Sequence, residues 1–201
     1  LSDFADETAG ESMAPGGGSI SAYVGVLGVS LGTMVANLSA HKPGWDENWE
    51  TYSMWAEKGQ LYQGKLLALV DEDTQAFNKI IEGFRLPKNS KAEKMVRSQA
   101  IEAATIYATK VPLEVMKTAC ESMEVMMEMA KNGLQNSLSD AGVGALCART
   151  AVYGAYFNVR INAKDIKDTA TAEKLLKEAI LIYNKTINLE NEIIDYINQK
   201  I

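Results

Sequence analysis

Ser19-Ile-Ser-Ala-Tyr-Val-Gly-Val-Leu-Gly-Val-Ser-Leu-Gly-Thr-Met-Val-Ala-Asn37 is the stretch on which the fold turns. It lies inside a longer segment, Ser12 to Ala40, that carries no charged residue. A segment of this length is long enough on paper to cross a bilayer. It also holds a small-residue pair four apart, Gly28 and Gly32, of the kind used where membrane helices touch. Its first third is a Gly-rich turn, however, and Ser19, Ser21, Ser30, Thr33 and Asn37 interrupt the apolar run. No basic cluster flanks it, and the N-terminus is acidic with no leader-like basic region. The segment therefore reads as a buried helix of a globular bundle, and no membrane partner is expected.

A second segment of the same character runs from Asp140 to Asn158, with Ala141, Gly142, Gly144, Ala145, Ala148, Ala151, Gly154 and Ala155. Glycine inside a helix costs about 1 kcal/mol relative to alanine. Such residues are kept where backbones approach closely or where a bulky ligand needs room. Everywhere else, apolar residues recur at three- and four-residue spacing and no run alternates with period two. Ser90-x-x-Glu93 is a capping box after the Leu86-Pro87 break, and Pro112 should kink or restart its helix. The expected fold is all-α: a bundle of about seven to eight helices with the two uncharged, Gly/Ala-rich helices as its central pair. No repeat or linker divides the 201 residues, so 1–201 reads as one domain.

Composition removes several function classes. Twenty basic and twenty-six acidic residues leave a net charge of −6, which argues against a nucleic-acid partner. Cys120 and Cys147 have no CxxC spacing and read as buried small hydrophobes or free thiols in a reducing compartment, and a cytoplasmic location is expected. His41 is the single histidine, so two-histidine metal motifs are impossible within one chain and no metal site is expected. A Ser-His-Asp triad would have to use His41, beside the Lys42-Pro43-Gly44 turn. Acid–base chemistry falls instead to carboxylates, lysines or tyrosines. Five methionines between Met116 and Met129 read as soft core packing.

The seam of the third helical segment runs Leu66, Val70, then Phe77, Ile80 or Ile81, and Phe84. The position completing this spacing is Asp73, whereas Asp71 falls on a polar face with Gln75, Asn78 and Glu82. A carboxylate on a core-facing position either has a raised pKa suited to proton transfer, or is satisfied by a neighbouring helix terminus or hydroxyl. Pro15-Gly16-Gly17-Gly18-Ser19 leads into the uncharged helix, either as a cradle for an electron-rich ligand or as a helix-breaking turn. Asp140 reads as the N-cap of the second small-residue helix. Asn158, Arg160 and Asn162 sit at its far end, where single polar groups can orient a substrate. Lys88, Lys91, Lys94 and Arg97 form one basic cluster, either a solvated face or a docking strip for a polyanionic tail.

Ala14-Pro-Gly-Gly-Gly-Ser19, Met34-Val-Ala-Asn-Leu38, Val70-Asp-Glu-Asp-Thr-Gln-Ala-Phe77, Leu86-Pro-Lys88 and Gly154-Ala-Tyr-Phe-Asn-Val159 occur in this order. Together they resemble the formiminotransferase-cyclodeaminase family, specifically its cyclodeaminase/cyclohydrolase domain, over nearly the whole chain. The resemblance implies an all-helical domain that forms a homodimer or higher homo-oligomer, with a folate cleft near the interface. It implies Asp73, the second aspartate of Asp-x-Asp-x-x-Ala-Phe, as the catalytic acid/base. Gly16, Gly17, Gly18, Ser19, Asn37, Asp140 and Asn158 are the expected substrate-binding residues, and the basic cluster the expected polyglutamate dock. The implied reaction closes 5-formimidoyltetrahydrofolate to 5,10-methenyltetrahydrofolate with loss of ammonia, and requires no cofactor beyond the folate itself. The alternatives are hydrolysis of the methenyl compound and a folate-binding module without catalysis. A formimidoyl-transferring domain is absent from this sequence and would be a separate chain or another part of a longer one.

Overall fold

The computed structural model describes residues 2–201. Six α-helices carry the chain: α1 (Ser2–Ala9), α2 (Gly17–Ala40), α3 (Trp49–Arg85), α4 (Lys91–Asn132), α5 (Leu138–Ala163) and α6 (Thr169–Asn198). Two single 3₁₀ turns, Asp46–Asn48 and Gln135–Ser137, precede α3 and α5. The all-α expectation holds, but seven to eight helices is a miscount. Pro112, expected to kink or restart its helix, accounts for one of the excess, since it falls in a single segment of 42 residues. The proline removes one helical N–H and a neighbouring helix replaces it, as described below.

The connections set the ends. Ser90 Oγ accepts the Glu93 N–H while Glu93 Oε2 accepts the Ser90 N–H, so the capping box forms and fixes the start of α4. Asp168 caps α6 by accepting from the Ala170 and Thr171 amides. α5 begins at Leu138 with Ser137 at the cap position. Asp140 is therefore not the cap as expected; it lies within the first turn, where a carboxylate still favours the positive end of the helix.

Helices consecutive in sequence from α2 to α6 run antiparallel. α2 meets α3 through Ser19–Asp73 and Gln63–Ser30, and meets α5 through Gly25–Ala151 and Gly28–Gly144. α4 closes the square against α3 through Tyr52–Asn132 and Tyr62–Glu124, and against α5 through Asn162–Ala108. α6 packs on α5 and α4, with Arg149 of α5 paired to Glu190 at 3.2 Å. The core is thus shared by four helices and is not organised around a central Gly/Ala-rich pair. α4 supplies most of its large, fully buried side chains: Leu113, Val115, Met116, Met123, Val125, Met126 and Met129. Conversely, α2 exposes Leu27, Met34 and Leu38, and α5 exposes Val143, Leu146, Tyr153, Phe157 and Ile161. Small residues in α2 and α5 serve close approach: a Cβ at Gly28 would lie 2.8 Å from the Gly144 carbonyl oxygen.

α2 is the one described helix long and apolar enough to cross a membrane. Ala22, Val29, Val35 and Ala36 on it are fully buried against other helices of the same chain.

Candidate active site

The antiparallel square brings the start of α2, the middle of α3 and the end of α5 to one end of the bundle. The chain enters α2 through the Pro15-Gly16-Gly17-Gly18 turn, where helix initiation leaves free backbone N–H groups. Ser19 is 1% exposed, and its hydroxyl donates to Asp73 Oδ2 at 2.9 Å. The Ser19 backbone N–H reaches the same carboxylate. Gly18 faces it so closely that a methyl there would overlap the Asp73 carboxyl group. Burial pushes the Asp73 pKa above the ordinary carboxylate range, and the hydroxyl and amide of Ser19 pull against that rise without cancelling it. Asp73 is satisfied by a helix terminus and a hydroxyl, and it remains the proton-avid carboxylate of its cavity.

That cavity, about 200 Å³, is lined by Met13, Ala14, Gly16, Gly17, Gly18, Asp73, Thr74, Ala76, Phe77, Ile80, Ala108, Asn158 and Asn162. Asn158 donates its Nδ2 to the Gly154 carbonyl at 2.9 Å, and Asn162 donates its own to the Ala108 carbonyl of α4 at 2.7 Å. One apolar wall (Phe77, Ile80), a rim of glycine backbone and two carboxamides thus surround one carboxylic group of raised proton affinity, a setting in which it can exchange a proton with a bound group.

Of the residues singled out in the sequence, Gly16, Gly17, Gly18, Asp73 and Asn158 converge here. Ser19 stands behind Asp73 and not in the cavity wall. Asn37 and Asp140 do not join them, since each lies roughly 27 Å along its helix from this end. Asn37 instead lines a shallower groove of about 670 Å³ with Ser30, Met34, Leu38 and His41. Among the described residues no carboxylate lines that groove, so its greater size does not make it the seat of acid–base chemistry. Lys88, Lys91, Lys94 and Arg97 stand at the α3–α4 turn, roughly 18 Å along α3 from Asp73. Arg97 there donates to the Phe84 carbonyl at 3.2 Å and lies over the Phe84 ring. Thr74, Phe77 and Ile80 escape sequence reading as wall residues because a wall residue at core spacing looks like any other core residue.

The formiminotransferase-cyclodeaminase family profile matches residues 1–180. The chain belongs to that family. It is 36% identical over 174 residues to mouse formimidoyltransferase-cyclodeaminase, covering 87% of this chain and 32% of the mouse protein. The chain thus spans about a third of the length of that relative. Against methenyltetrahydrofolate cyclohydrolase of Methylorubrum extorquens it is 34% identical over 178 residues, covering 89% of this chain and 86% of the relative. In fold it is similar to the crystal structure of formiminotetrahydrofolate cyclodeaminase from Thermotoga maritima. The TM-score is 0.87 with 24% sequence identity, over 99% of this chain and 96% of the other. Family membership thus rests on sequence over most of the chain, and the all-helical fold is shared with the Thermotoga structure.

Proposed function

We propose that the chain is a formimidoyltetrahydrofolate cyclodeaminase, closing 5-formimidoyltetrahydrofolate to 5,10-methenyltetrahydrofolate and ammonia. The observation that carries the reading is Asp73: a carboxyl group of raised proton affinity, fixed by Ser19, in the wall of a small polar cavity. N10 attacks the formimidoyl carbon, giving a tetrahedral centre that bears N5, N10 and an amino group. N10 must lose a proton and the amino group must gain one before it departs as ammonia. A single carboxyl whose pKa is shifted towards neutrality takes the first proton and delivers the second. Asp73 fills that role, with Gly16, Gly17, Gly18 and Asn158 around the pterin. No group beyond the folate is required by this chemistry.

The cavity is smaller than the roughly 300–1,000 Å³ of typical ligand sites, so it takes the ring end of the substrate and leaves the tail outside. Two features bear on the remainder. The exposed apolar residues of α2 and α5, two helices packed against each other, suit a second copy of the chain, which would complete the cleft in a homodimer. The basic cluster from Lys88 to Arg97 suits the carboxylates of a polyglutamate tail. In this reading the enzyme works in the cytoplasm with its thiols free, and receives its substrate from a formimidoyltransferase domain or chain.

A second reading, methenyltetrahydrofolate cyclohydrolase, is favoured by the near end-to-end alignment with the Methylorubrum relative. Water adds at the same carbon and N5 departs, with the same carboxyl moving the proton. The test offers purified protein 5-formimidoyltetrahydrofolate and, separately, 5,10-methenyltetrahydrofolate, following ammonia and methenyl absorbance. Ammonia release with methenyl accumulation supports the deaminase. Methenyl consumed above the uncatalysed rate, with no ammonia from the first substrate, replaces it with the hydrolase. Silence on both, with folate still bound, overturns catalysis and leaves a folate-binding module.

A further inference from the structure

Pro112 lies in the middle of α4 and has no N–H to give, so the carbonyl of Ala108, four residues earlier, lacks its helical donor. Asn162 supplies one from another helix, its Nδ2 at 2.7 Å from that oxygen. A carbonyl accepts only, so this bond dictates which way the carboxamide faces: nitrogen to Ala108, oxygen away from it. Asn158, one turn earlier on α5, is locked in the same sense by the Gly154 carbonyl. Both side chains line the Asp73 cavity, and their Oδ1 atoms have no donor among the described residues.

We propose that Asn158 and Asn162 form a fixed pair of hydrogen-bond acceptors that reads the amino-bearing edge of the pterin, and that Pro112 is the positioning residue that holds Asn162 in this sense. The inference rests on the folate reading and adds the specificity of the ring site to it. The reduced pterin carries an exocyclic amino group and a ring N–H side by side, donors to which two carboxamide oxygens are complementary. A ligand lacking the amino group leaves an acceptor of the pair unsatisfied inside the cavity.

The test measures binding of 5-formyltetrahydrofolate, a stable analogue, and of its 2-desamino-2-methyl counterpart. Wild-type protein should prefer the amino compound by about tenfold, the loss expected for a hydrogen bond removed inside a cavity. Asn162→Leu should bind the amino compound about tenfold more weakly and lose most of the preference. Pro112→Ala returns an N–H to the Ala108 carbonyl and releases the carboxamide to turn. It should raise the midpoint of thermal unfolding and at the same time raise KM, a combination that a purely structural role for Pro112 does not give. Wild-type protein that binds neither compound overturns the folate reading and this inference together. Binding of both compounds with equal strength, or an unchanged preference in Asn162→Leu, overturns this inference and leaves the folate reading standing. Unchanged KM in Pro112→Ala removes Pro112 from it.

Discussion

Asp73 is held between opposing influences: burial favours its protonated form, and the hydroxyl and amide of Ser19 favour its charged form. Because burial prevails, the folded-state pKa lies above the ordinary aspartate value. Below that ordinary value Asp73 is protonated whether the chain is folded or not, and it does not affect stability. As pH rises through the raised folded-state pKa, the native state must hold a buried charge, and stability falls relative to a neutral side chain. Asp73→Asn should therefore unfold at the same or higher temperature than wild type at pH 7, with the difference vanishing at low pH; calorimetry across that range checks it. Ser19→Ala removes one of the two stabilisers of the charged form. The acid limb of its kcat/KM profile should move to higher pH while the folate affinity stays within about threefold, the size of one modest hydrogen-bond effect. Asp73 is legible in the sequence because a carboxylate at core spacing breaks a pattern. Its partner is not: Ser19 lies 54 positions away, and nothing local says which helix face a lone serine will meet.

At the scale of elements, α2 is set by glycines at two points for different reasons. Gly18 leaves room for the Asp73 carboxylate, and Gly28 lets the α2 backbone meet Gly144 of α5. Gly28→Ala gains about 1 kcal/mol of helix propensity but forces a methyl to 2.8 Å from a backbone oxygen and 2.9 Å from Cys147 Cβ. Backbone cannot yield as a side chain does, and overpacking of this kind costs about 1–3 kcal/mol, so the net change should be destabilising. Urea unfolding should show a lower midpoint with unchanged slope. Turn chemistry makes the capping box at Ser90 and the stop at Leu86-Pro87 readable. The continuity of α4 through Pro112 is not, because it depends on a donor from Asn162, fifty residues later. The start of α5 is hidden for a related reason: Ser137 and Asp140 are both good cap types, and the 3₁₀ turn Gln135–Ser137 that runs directly into Leu138 leaves no local signal of which one begins the helix.

At the scale of the molecule, the all-α class follows from three- and four-residue periodicity and the absence of strand patterns. The expected central pair does not, because composition cannot say which helices occupy the middle. α4, whose sequence is dense in lysine and glutamate, buries the most large side chains, while α2 and α5 each leave an apolar face to solvent. If that face is where two copies meet, placing a charge at its middle should separate them. Leu146 is 45% exposed, so Leu146→Glu should fold normally. Sedimentation should show it shifted to monomer, with KM for the folate raised as half of the cleft is lost. A monomeric wild type would overturn the pairing of two copies, and a dimeric Leu146→Glu would place the interface elsewhere.

If Asp73 moves the proton in folate ring closure, the decisive comparison is ammonia release from 5-formimidoyltetrahydrofolate by Asp73→Asn beside wild type. It is taken together with binding of 5-formyltetrahydrofolate to both proteins. Asparagine keeps the size and an acceptor for Ser19 but cannot shuttle a proton. Turnover should fall at least about a hundredfold, in the range of general acid–base contributions, with binding largely intact. Turnover within a few-fold of wild type would contradict the assignment of Asp73.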